Sequence, residues 1–155
     1  MRTIISLILA SVFVAISSLA QAADDMIIVR PAAKSPDEVV AAIKAYAEEK
    51  KWVFLGANKF KPAQGEVTLV KICIPETSKL LWPLGLHLSA ILPCGNFGVY
   101  KVDGKTEISI LHPRYMQVLY PHPDVEKASA MVTPLFLGML ESVTKPTESK
   151  EPASY

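Results

Sequence analysis

Cysteine is scarce in this 155-residue chain, with two residues, and glycine is sparse, with seven. The first excludes a disulfide-dense miniprotein and the second a collagen-like or glycine-rich chain. A surplus of one charge sign is also missing, since 16 Lys and Arg stand against 15 Asp and Glu. No polyanionic partner such as nucleic acid is therefore expected. The chain has no P-loop, G-x-G-x-x-G, G-x-S-x-G or H-E-x-x-H motif. Nothing here supports a nucleotide-binding enzyme, a hydrolase or an enzyme with an organic cofactor, and the sequence requires no cofactor. What is abundant is apolar surface: half of the residues are hydrophobic, enough for one domain with a sizeable core.

Part of that apolar content sits at the N-terminus. Arg2 is followed by an apolar run over residues 4–16, broken by Ser6 and Ser11, and then by Ala20-Gln21-Ala22. Charge, apolar stretch and small-residue site together predict a signal peptide over residues 1–22, cut after Ala22. The run falls short of the roughly 20 residues a membrane span needs. Residues 80–92 are interrupted by Pro83, Gly85 and His87, so no span is expected after cleavage. The mature chain is expected in the periplasm or outside the cell. Loss of Arg2 leaves 15 basic and 15 acidic residues.

The remainder reads as one domain over residues 23–143 and a polar, disordered tail over residues 144–155. Met26 to Val29 is a β-branched run that reads as a strand ending at Arg30-Pro31. Ser35-Pro36-Asp37-Glu38 starts a helix, with Ser35 as cap, Pro36 at the first position and Glu38 closing a capping box. Val39, Val40, Ile43, Tyr46 and Ala47 give it one apolar face. Trp52 to Leu55 reads as a strand stopped by Gly56, and residues 57–65 as a loop in which Lys59, Phe60 and Lys61 are solvated. Residues 66–74 form a further strand, residues 76–82 a short helix cut by Pro83, and residues 85–93 an irregular apolar segment.

Asp103-Gly104 predicts a two-residue hairpin turn. Paired residue numbers then sum to 207, so Val99 faces Ile108, Phe97 faces Ile110 and Tyr100 faces Glu107. Apolar partners fall on one face and polar partners on the other. The same register sets Gly95 opposite His112. Residues 123–143 carry a helical apolar stripe with Pro134 inside it, which predicts a kink. The order strand–helix–four strands–helix predicts an α+β fold: a mixed or antiparallel sheet of about five strands with two main helices on one face.

Several of these segments also carry a family resemblance. Val70-Lys71-Ile72-Cys73-Ile74-Pro75, Ile91-Leu92-Pro93-Cys94, Val99-Tyr100-Lys101-Val102-Asp103-Gly104-Lys105-Thr106 and Ile110-Leu111-His112-Pro113 resemble the family catalogued as domain of unknown function 302. The resemblance covers roughly residues 35–143. Ile74 and His112 each stand where that family usually has Asn. The resemblance implies a TATA-binding-protein-like α+β arrangement, carries no activity, and does not imply DNA binding.

Candidate chemistry gathers at Cys73, Cys94 and His112. On neighbouring antiparallel strands, Cys73 at the end of one and Cys94 at the start of the next share an end of the sheet, and His112 returns to that end. Four readings stay open: a structural disulfide between Cys73 and Cys94; two buried free thiols; a copper or zinc site formed by Cys73, Cys94 and His112; and a redox or nucleophilic cysteine beside His112. Alone, His112 is expected to donate to a backbone carbonyl. His87 and His122 read as turn residues, and Met131 and Met139 as core. The expected function is a non-enzymatic exported module that binds a small ligand or a periplasmic protein, with Cys73, Cys94 and His112 at the rim of its pocket. The alternative is a thiol- or metal-dependent redox protein using the same three residues. Self-assembly into a homo-oligomer through an edge strand is the third reading.

Overall fold

The hairpin turn fixes the middle of the sheet. In the computed structural model, which describes residues 26–92 and 94–146, Asp103 and Gly104 both adopt positive φ, 49° and 77°. A tight type I′ hairpin needs that combination. Strands β4 (Asn96–Val102) and β5 (Lys105–Leu111) pair across it with Val102 opposite Lys105, Val99 opposite Ile108 and Phe97 opposite Ile110. The register is the expected one. The signal peptide with its cut after Ala22, residue Pro93, and the tail beyond residue 146 lie outside the described residues.

Three more strands complete the sheet: β1 (Ile27–Ala32), β2 (Val53–Phe60) and β3 (Val67–Cys73). The order is β1-β5-β4-β3-β2, and every neighbouring pair is antiparallel. Two strands run longer than their sequence pattern predicts. Strand β1 passes Arg30 and Pro31 and ends at Ala32, which an edge strand allows because the missing proline N–H can face away from the ladder. Strand β2 continues past Gly56, where φ is 136° and the pairing register shifts between Phe54 and Gly56. Glycine absorbs a bulge here instead of ending the strand. Lys59, expected in a solvated loop, is therefore on β2 and pairs with Asp37 at 2.8 Å and Glu66 at 3.4 Å.

Helix α1 (Pro36–Glu49) begins with the expected capping box: the Ser35 backbone N–H donates to Glu38 at 2.8 Å, and Glu38 N–H donates back to the Ser35 hydroxyl. A short helix α2 (Pro75–Leu81) and two 3₁₀ turns (Trp82–Leu84, Leu86–Ile91) join β3 to β4. Helix α3 (Tyr115–Leu119) has no counterpart among the elements expected from sequence. Helix α4 (Pro123–Thr144) continues through Pro134. It reaches one residue beyond the expected domain end, and the Thr144 carbonyl accepts the Ala33 N–H at 3.3 Å.

Alternation on the strands decides where the core lies. Thr68, Val70 and Ile72 on β3, Phe97 and Val99 on β4, and Ile108 and Ile110 on β5 are buried. All but Thr68 join one core cluster with Val39, Ile43 and Ala47 of α1 and Val125, Val132, Phe136 and Met139 of α4. Phe97 packs edge-on against Phe136, ring centroids 5.5 Å apart. Residues of the opposite strand face, including Ile27, Val29, Leu69 and Leu111, are exposed. The helices therefore cover one face, as the α+β reading requires. Among the described residues no helix is long and apolar enough to cross a membrane.

Candidate functional site

Strand register brings the two cysteines together. In β3 and β4 the paired numbers sum to 167, from Val67 with Tyr100 to Lys71 with Asn96. One step further, the Ile72 N–H donates to the Gly95 carbonyl at 3.3 Å. Carried one residue past that bond, the same register sets Cys73 across from Cys94, just outside β4. Because the Ile72 N–H to Gly95 carbonyl bond marks a hydrogen-bonded position, the position after it is a non-hydrogen-bonded one, at which Cα atoms in a regular ladder lie about 4.5 Å apart. That falls at the short end of the range a disulfide spans, about 4.4–6.8 Å. Both residues are partly buried free thiols.

The surroundings make the two thiols unequal. Cys94 hydrogen-bonds toward the Cys73 sulfur, and this is the main reason the Cys73 thiol is pulled down to about 6. Burial opposes the shift. The Ser78 hydroxyl, 3.3 Å from the Cys73 sulfur, the charge of Lys71 and the Ile74 backbone reinforce it. Cys94 moves the opposite way, its proton held by the bond to Cys73 and its charged form penalised by burial. Tyr115 borders Cys94 and is pushed up to about 12, first by burial and then by that neighbour. Its hydroxyl donates to the carbonyls of Ile91 and Leu92 at 3.0 and 3.1 Å, which anchors the segment leading into Cys94.

The register sets His112 on the other side of the strands from this pair. Among the described residues no three His, Cys, Asp or Glu side chains gather to hold a metal ion. Strand parity is the reason. Gly95 faces inward, for a Cβ there would meet Phe97 at 2.8 Å and Phe136 at 2.9 Å. His112 lies at the register position opposite Gly95, so it falls on the inner side, and Cys94, one residue along, falls on the other. The His112 ring accepts the Arg114 N–H at Nδ1, 3.1 Å away. Burial, and then the Arg114 charge, hold its imidazolium below the usual range. His122 repeats the arrangement, its Nδ1 accepting the Asp124 N–H at 3.2 Å to cap α4. In both His-Pro turns the ring does what an Asn or Asp side chain does in an Asx turn.

An opening of about 400 Å³ lies at the opposite end of β3 and β4, between the start of α1 and the sheet, lined by Ser35, Asp37, Glu66, Thr68, Val99 and Lys101. Cys73, Cys94 and His112 are not part of its wall. Sequence reasoning missed three residues of the thiol site. Lys71 was detectable, because it lies two residues before Cys73 on the same strand face. Ser78 and Tyr115 carried no signal, since each depends on how a short helix turns back on the sheet.

The crystal structure of an uncharacterized conserved protein DUF302 from Bacillus stearothermophilus superposes with a TM-score of 0.68. The match covers 77% of this chain and 98% of that one, at 12% sequence identity. This chain has the DUF302 fold. The strand–helix–four strands–helix order implied by the resemblance is thereby borne out, and at this identity the likeness speaks for the fold alone. No protein-family profile matches the sequence, and no curated protein does. In this chain the β3–β4 pairing sets the cysteine pair at one end of the sheet, and its chemistry rests on the residues themselves.

Proposed function

We propose that this chain is an exported thiol–disulfide protein whose working group is the facing pair Cys73 and Cys94. The observation that carries the reading is the register: the β3–β4 pairing, continued by the bond from Ile72 to Gly95, brings the two residues across from each other where the ladder ends. The unequal acidities fit an attacking and a resolving thiol. The predicted signal peptide fits a compartment in which disulfides persist. The Cys73 thiolate attacks one sulfur of a partner disulfide, whose other sulfur leaves and takes up a proton. Cys94 gives its proton to solvent and attacks the Cys73 sulfur in the mixed disulfide. The second partner sulfur then leaves and is protonated. The protein dithiol is oxidised by two electrons and the partner disulfide is reduced to two thiols.

Equilibration against mixtures of reduced and oxidised glutathione, alkylation of the remaining thiols and intact-mass measurement test this. The expected result is one transition between a doubly alkylated species and an unalkylated one lighter by two hydrogens. Retention of both alkylatable thiols in the most oxidising mixture, or formation of intermolecular disulfides alone, would overturn the reading.

A further inference from the structure

We propose that the reduced Cys73–Cys94 pair is a two-coordinate site for one monovalent copper ion. The inference uses the same facing sulfurs as the redox reading and does not need the pair to cycle. The donor set decides the ion. Both donors are soft sulfur atoms directed at each other across a ladder end. His112 is on the other side of the strand, and no three-residue ligand group forms among the described residues. Tyr115 has committed its hydroxyl hydrogen to two carbonyls.

A structural zinc site takes four ligands in a tetrahedron, which this end of the sheet does not supply among the described residues. Copper(I) has a filled d shell, prefers thiolate sulfur and accepts two such donors in a line. A copper(I) ion between two thiolates leaves a net charge of −1. The Lys71 ammonium, on the same face of β3, acts on both sulfurs and offsets that charge. Partial burial of both cysteines limits access by water while leaving room for exchange with an incoming thiol.

The test is a competition between the fully reduced protein and a chromophoric copper(I) chelator, without oxygen. One equivalent of copper is expected to move to the protein. Cys73→Ser and Cys94→Ser should each weaken binding by about 100-fold or more, and Lys71→Ala by a smaller factor of about 10. His112→Ala should leave binding unchanged. X-ray absorption of the copper-loaded wild-type protein should show two sulfur neighbours and no nitrogen, a readout that stands even if a cysteine variant fails to fold. Copper left with the chelator, undiminished binding by either serine variant, or a nitrogen neighbour in the absorption spectrum would overturn the site. A protein that forms the disulfide reversibly yet takes no copper refutes this inference and leaves the redox reading intact. One that binds copper but never forms the disulfide does the reverse.

Discussion

His112 and His122 show how one side chain can stand in for another. Each precedes a proline, and each offers Nδ1 to the N–H two residues on. The ring must be unprotonated at Nδ1 to accept. Because the fold lowers the His112 pKa below its ordinary 6.5, the unfolded chain takes up the proton first as pH falls. The stabilisation from His112 is complete above about pH 6.5 and is lost as pH drops toward the lower folded value. Urea denaturation against pH should show that decline in the wild type, and His112→Asn should remove the His112 contribution while keeping stability within about 0.5 kcal/mol at pH 7.5. His112→Ala, with no acceptor, should lose about 1 kcal/mol. At Cys73, alkylation should switch on around pH 6, with Cys94 slower. Cys94→Ala should move the Cys73 midpoint upward, since the bond from Cys94 is the largest cause of its low value. Rates followed by mass spectrometry over pH 5–9 give the Cys73 midpoint in each protein, and a wild-type value in the ordinary thiol range would refute the arrangement.

At the level of elements, the β3–β4 ladder and its end depend on Gly95. A Cβ there would lie 2.8 Å from Phe97 and 2.9 Å from Phe136, both aromatic core side chains. Gly95→Ala should therefore cost about 1–3 kcal/mol by overpacking and loosen the pairing that presents Cys94, detectable as slower disulfide closure. Helix α1 depends on a different local device. Ser35→Ala removes the hydroxyl side of the capping box and should cost about 1 kcal/mol in chemical denaturation. At the start of α2 the position of Ile74 shows a trade. It stands at the cap without making a side-chain cap bond, and it is buried in the core. Packing replaces capping there.

Over the whole molecule, a bond between Cys73 and Cys94 would tie one end of the sheet to the segment that crosses it. The 20 residues between them include α2 and both 3₁₀ turns. Closing a loop of that length restricts the unfolded chain and is worth about 3 kcal/mol. For a domain of this size that corresponds to a rise in Tm of roughly 10 °C. Calorimetry of the oxidised and reduced protein should show it, and equal Tm values would mean that strain in the ladder cancels the entropic gain.

Much of this architecture is legible in the amino-acid sequence. The α1 capping box, the β4–β5 register, the apolar stripe of α4 and the element order follow from patterns within a few residues of each other, where backbone geometry leaves little choice. The sequence also pointed to a shared sheet end for Cys73 and Cys94, on the condition that the strands after them pair antiparallel, as β3 and β4 do. Tertiary structure decided the rest. The edge position of β1 let the strand pass Pro31, and the bulge at Gly56 carried β2 onward. Which side of the strands each candidate residue took separated His112 from the two sulfurs. A register that is off by one residue reverses every side chain, so grouping residues by their end of a sheet is not enough to group their chemistry. Distant contacts such as Ser78 with Cys73, or Tyr115 with the carbonyls before Cys94, exist only once helices have packed onto the sheet, and no local pattern encodes them.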